Sequence, residues 1–120
     1  MLPNIHYQCY LKFKQALEQL QQTVAGTHLD ALRLRQGFQT AQQFFQQQVV
    51  SLDAGDLEPD SEARVLSYQT EMSKQLRLLG LDVIFLQAAR QPETALCRQQ
   101  QMSDRLKTLI GYCDALLQIN

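Results

Sequence analysis

The sequence predicts an all-α protein, an antiparallel up-down-up-down four-helix bundle of long helices that forms a single helical domain over residues 1–120. Three observations predict it. Gly and Pro are few, 5 and 3 of 120 residues, so long helices are permitted almost everywhere. The chain breaks at three places only: Ala25-Gly26-Thr27-His28, Asp53 to Pro59, and Arg90-Gln91-Pro92. Between the breaks, apolar residues recur at steps of three and four, the spacing of one helical face. Gly suits a helix C-terminus and Pro the first helical position, so each break reads as a stop followed by a start. A three-helix bundle with a mobile first or last segment is the alternative arrangement.

The first helix is expected from about Asn4 to Ala25, with Asn4 as N-cap. Tyr10, Phe13, Leu17, Leu20 and Val24 share one face. The second is expected from about Leu29 to Leu52. Thr27, three residues before Asp30, resembles a capping box with Asp in place of Glu. Its stripe is Leu34, Phe38, Ala41, Phe45 and Leu52, with Gln48 interrupting.

The third is expected from about Pro59 to Arg90. Asp56, Glu58, Asp60 and Glu62 crowd its start, where negative charge favours the helix dipole. Val65, Met72, Leu79 and Leu86 repeat every seven residues, with Leu76 and Val83 between them. The fourth runs from Pro92 nearly to Asn120. It carries Ala95, Met102, Leu109 and Leu116 in one heptad series and Leu106 and Cys113 in the other. Helices of this length make a rod of roughly 35–40 Å at 1.5 Å per residue.

Residues 76–89, LRLLGLDVIFLQAA, contain ten apolar residues of fourteen. Arg77, Asp82 and Gln87 gather on no single face. Such a stretch needs neighbours on more than one side and is expected to be the central helix. A core stripe on Met72, Leu76, Leu79, Val83 and Leu86 leaves Leu78, Leu81, Phe85 and Ala88 as a second stripe, with Ile84 at its border. From Leu79 to Leu81 the helix turns about 200°, so the second stripe points away from the first. Either other helices wrap both sides, or Leu78, Leu81, Ile84 and Phe85 form a self-association face, with a homodimer the commonest way to cover them.

Composition excludes several classes. The formal net charge is −1 and the 11 Lys and Arg are scattered, without the basic stripe of a nucleic-acid-binding protein. No stretch approaches the roughly 18 apolar residues of a membrane span. The start, MLPNIHYQCY, lacks the basic and apolar regions of a signal peptide. A cytoplasmic chain is expected, and Cys9, Cys97 and Cys113 suit free thiols there.

Chemistry-bearing clusters are sparse. His6-x-x-Cys9 places two metal-ligand types on one helical face, and Cys113 could lie nearby. The spacing matches no dedicated zinc site and no fourth ligand is evident, so a partly exposed His and a core Cys is the simpler reading. No metal and no cofactor is expected. Asp82 inside the apolar stretch could act as an acid or base. It more simply pairs with an Arg or a Tyr hydroxyl of another helix, for which Arg105 and Tyr112 are candidates, because lone buried charge is costly. There is no second matched carboxylate, no Gly-rich phosphate loop and no Glu-x-x-His pair, and the chain is expected not to be an enzyme. The acidic run Asp53 to Glu62 lacks a calcium-loop pattern and reads as a solvated cap.

Gln makes up 20 of the 120 residues. On the second helix Gln36, Gln39, Gln43, Gln47 and Val50 are expected to share an outer face. That face is plain solvated helix or a recognition surface, where amides give adaptable hydrogen bonds and Val50 apolar contact. Arg33 and Arg35 add charge complementarity to an acidic partner.

The opening MLPNIHYQCYLKFKQALEQL, the central QQFFQQQVVSLDAGDLEP, the FLQAARQ ending the third helix and the late DRLKTLIGYCDALL together resemble the cyanobacterial PatD family, the heterocyst frequency control proteins. The likeness spans nearly the whole chain and rests on length, order and wording, not on a chemical motif. It implies a small cytoplasmic regulator of filamentous cyanobacteria. Such a protein binds the division protein FtsZ, modulates its assembly and limits heterocyst differentiation. A helical adaptor or dimeric scaffold with a different partner is the alternative, and a metal- or redox-linked protein using His6, Cys9 and Cys113 a third.

Overall fold

A computed structural model describes residues 2–26 and 28–119. Four long helices follow one another: α1 (Asn4–Ala25), α2 (Ala31–Phe44), α3 (Pro59–Ala88) and α4 (Pro92–Leu117). There is no strand among the described residues. The helices pack as a four-helix bundle with seams α1–α4, α3–α4, α1–α2 and α2–α3. The long axis measures 50 Å and the other two 20 and 19 Å. The rod is longer than its expected 35–40 Å because α3 alone has 30 residues, about 45 Å of helix.

The boundaries follow local chemistry. Pro59 and Pro92 stand at the first positions of α3 and α4, where a missing N–H costs nothing. Asp60 and Glu62 lie in the first turn of α3. Asp53 accepts from the Gly55 N–H at 2.9 Å, closing the turn before a short 3₁₀ segment, Ala54–Asp56. Asn4 is not the cap of α1: Pro3 holds that place and no side chain bonds there. On α2 the cap is Asp30 itself, accepting from the N–H groups of Leu32 and Arg33 at 2.9 and 3.3 Å. The Thr27 part of the expected capping box lies outside the described residues.

α2 does not run as a plain α-helix to Leu52. At Phe45–Val49 it opens into a π-helical turn, and Val50 N–H reaches back to the Phe45 carbonyl at 3.0 Å. Continued α geometry from buried Ala41 would place Gln48 within about 20° of the core direction and Val49 about 80° off it. The extra residue of the π turn swings Val49 inwards, where it is fully buried, and leaves Gln48 exposed. The interruption of the apolar stripe by Gln48 is thus removed by a local change of winding, the usual form of a π insertion.

The core draws on every helix. All five apolar positions expected on α1 are buried, as are the six heptad residues of α3 and Met102, Leu106, Leu109, Cys113 and Leu116 of α4, whereas Ala95, the first of the α4 series, is half-buried. Leu34, Ala41 and Phe45 of α2 are buried, whereas Phe38 and Leu52 are half-buried. Phe13 lies at the centre, its ring 6.3 Å from that of Phe44 and 5.5 Å from that of Phe45, within the range of favourable aromatic pairs.

The most extensive seam joins α1 to α4, with α2 on the other side of α1 and α3 on the other side of α4, so the apolar stretch 76–89 is not the centre of the bundle. α3 packs along α4 and meets α2 only at the thinnest of the four seams. Its second apolar stripe lies outside the core for that reason.

Glutamines join the helices at places that periodicity does not reveal. Gln69 Nε2 donates to the Tyr10 hydroxyl at 2.8 Å. Gln87 Nε2 donates to the Ala31 carbonyl at 3.4 Å. Gln99 Nε2 donates to the carbonyls of Val24 and Gly26. Each satisfies a polar group near a helix end or in the core.

Candidate functional site: the α2–α3 edge

The residues singled out on α2 are all solvent-exposed: Arg33, Arg35, Gln36, Gln39, Gln43, Gln47 and Val50. They do not form one continuous face. Arg33 and Gln36 line a polar cleft of about 570 Å³ between α1 and α2. Gln43 and Gln47 line a second cleft of about 550 Å³ on the same side. Arg35, Gln39 and Val50 turn the other way, into a groove of about 740 Å³ between α2 and α3.

That groove receives part of the outer stripe of α3. Leu81 and Ile84 line it and remain 45% and 60% exposed. Phe85, 48% exposed, lies on the α4 side under the guanidinium of Arg98, whose Cζ is 4.7 Å from the ring centroid. Leu78 is half-buried. The four residues expected to self-associate are thus divided: two in the groove, one beneath an arginine and one partly covered.

The groove lies along the thin seam between α2 and α3. Gly80 meets the half-buried ring of Phe38, and a Cβ at that position would stand 2.9 Å from Phe38 Cζ. Phe45, Leu76 and Val83 lie among its walls, and all three are buried. The charged residues lining it are Arg35 and Arg77, with no Asp or Glu. Neither arginine is in an ion pair among the described residues.

The interior offers less. Asp82, 1% exposed, is held by Arg105 Nε at 2.5 Å and by Arg98 Nη1 at 3.4 Å. The expected partner Arg105 is present. Tyr112 is not a partner of Asp82: its ring packs on Tyr68 at 5.7 Å. Arg98, which sequence reasoning missed, stands seven residues before Arg105 on the same face of α4, and that spacing was the available signal. A carboxylate locked between two guanidiniums is a structural joint.

His6 is buried at 1% exposure instead of partly exposed, because its position three residues before Cys9 puts it on the inner face of α1. Neither ring nitrogen has a hydrogen-bond partner. No group of three or more His, Cys, Asp or Glu could hold a metal among the described residues.

The thiols differ sharply. Burial, helped by nearby Asp114, raises the Cys113 thiol from its ordinary 9.0 to about 12. Burial also raises Cys9, against a lowering by Lys12. Cys97 is exposed. At pH 8 one thiol, Cys97, should react rapidly with a disulfide reagent, and all three only after unfolding. Rapid labelling of Cys113 in the folded protein would contradict the packing of α1 on α4. Burial likewise raises the Tyr10 hydroxyl to about 12. Both groups bind protons more tightly when folded. Their contribution is therefore complete below the ordinary Cys value and is lost as pH rises from there towards 12.

No helix among the described residues is long and apolar enough to cross a membrane. No protein-family model, curated protein or solved structure matches the chain.

Proposed function

We propose that this chain is a non-enzymatic, cytoplasmic regulatory protein that works by binding another protein. Following the resemblance to the PatD family, the partner is FtsZ. Binding modulates FtsZ assembly and so limits heterocyst differentiation in filamentous cyanobacteria. The observation that supports a binding role is the exposed part of α2 and its π turn, on both of its open sides. It is long, rich in exposed amides and barely charged apart from Arg33 and Arg35, which have no ion-pair partner among the described residues. Amides adapt to varied partner groups, while exposed arginines steer an acidic partner and set the salt dependence of binding.

Co-sedimentation with FtsZ assembled in GTP, together with light scattering of the polymer, tests the proposal. The protein should pellet with polymer and change the scattering signal. Reversing both charges, Arg33→Glu with Arg35→Glu, should weaken binding roughly tenfold at low salt and flatten its salt dependence. Equal affinity in a folded double variant would exclude that part of the surface. Absence of any effect on FtsZ would exclude FtsZ and favour an adaptor with another partner.

A further inference from the structure

We propose that the α2–α3 groove is the docking site for an amphipathic helix of another protein with acidic flanks. The groove is long enough for a helix to lie along it. Its walls run from Arg35 to Val50 on α2 and from Ser73 to Gln87 on α3, about 21–22 Å on each side. A partner helix of about fourteen residues spans that length. Two antiparallel helices side by side present parallel ridges, and a third helix fills the groove between them with apolar residues at i, i+3, i+4 and i+7.

Charge decides between occupants. The protein as a whole carries −1, yet the groove holds two unpaired arginines and no carboxylate. A second copy seated groove to groove by two-fold symmetry would gather Arg35, Arg77 and their duplicates, four arginines and no carboxylate, in one partly desolvated seam, a like-charge arrangement that interfaces avoid. A helix bearing carboxylates has the complementary sign.

The Phe38–Gly80 contact also sets a register. Arg35 lies three residues from it on α2, and Arg77 three residues from it on α3. The helices are antiparallel, as Gln87 reaching Ala31 requires. The two arginines therefore stand on opposite walls, about 9 Å apart along the groove. A docked helix rises that distance in about six residues and turns about 600°, which leaves its two carboxylates on opposite flanks of its apolar stripe.

The proposal does not depend on FtsZ being the partner, and its test contains no FtsZ, so either can fail alone. A displayed library of sixteen-residue helical peptides is panned against the intact protein. The apolar stripe is held constant, and the flanking positions vary among Glu, Lys and Gln. Peptides with Glu on both flanks should be enriched. A selected peptide should lose at least tenfold affinity for the Arg35→Glu, Arg77→Glu variant and for Ile84→Glu. Its Lys-for-Glu counterpart should prefer the charge-reversed variant. Circular dichroism confirms that each variant is folded; all three positions are exposed. No enrichment, enrichment of Lys or Gln flanks, or binding indifferent to these substitutions would overturn the proposal. So would a dimer of the protein that Ile84→Glu dissociates, because the groove would then belong to a second copy.

Discussion

Leu79→Ala is expected to lower the unfolding free energy by about 2–5 kcal/mol, the range for fully buried leucines that leave a cavity behind. Leu79 is 0% exposed, at the centre of the heptad stripe of α3. The control is Leu81→Ala, two residues along the same helix. Leu81 is 45% exposed, and its truncation should change stability by less than about 0.5 kcal/mol. Denaturant melts of both variants read the difference directly. Equal costs at the two positions would mean that α3 is rotated about its axis relative to the bundle described above.

The second large effect concerns Asp82. Arg105→Met should cost about 2–3 kcal/mol, because it removes the closer of two charge-assisted hydrogen bonds from a carboxylate with almost no access to water. Arg98, at 3.4 Å, remains and limits the loss. Joint replacement, Asp82→Leu with Arg105→Leu, should cost much less than the single change. The buried charge then disappears with its partner, and Arg98, with a third of its side chain exposed, can turn to solvent. Thermal melts of the single and double variants distinguish the two cases. A double variant less stable than Arg105→Met would show that the ion pair contributes net stability of its own.

A more modest anchor joins α1 to α4 at the surface. There Lys14 Nζ stands 2.7 Å from Asp114, and the bond to Asp114 is the largest cause of the raised lysine pKa. Both side chains reach solvent, Lys14 at 26% and Asp114 at 45% exposure, so salt should screen the pair.

Helix number, helix type and most core residues were legible in the sequence. Periodicity reports which side of a helix must leave water, and that requirement does not depend on which neighbour covers it. Thus the stripes of α1 and α3, and that of α4 from Met102 on, are buried as their spacing predicts, with Ala95 half-buried, and Pro59 and Pro92 mark helix starts. The pairing of Asp82 with Arg105 was also legible, since a carboxylate on a buried stretch needs a cation from an adjacent helix. The exposure of Arg33, Arg35 and the α2 amides followed from the same reasoning in reverse.

Only the tertiary structure decided where the helices stand relative to one another. Apolar content suggested that residues 76–89 were central. The packing instead makes α1 and α4 the most extensive seam and gives α3 only a thin one with α2, because helix order is set by connections and side-chain fit, not by the hydrophobicity of one segment. The π turn at Phe45–Val49 was hidden because a winding change is chosen by what Val49 gains on burial. The groove was hidden too: it is the gap left between α2 and α3 along their thin seam, where Phe38 rests on Gly80. A one-dimensional pattern states which surfaces an isolated helix must cover. How far apart two helices come to rest depends on the side chains that meet between them, and those meet only in the folded molecule.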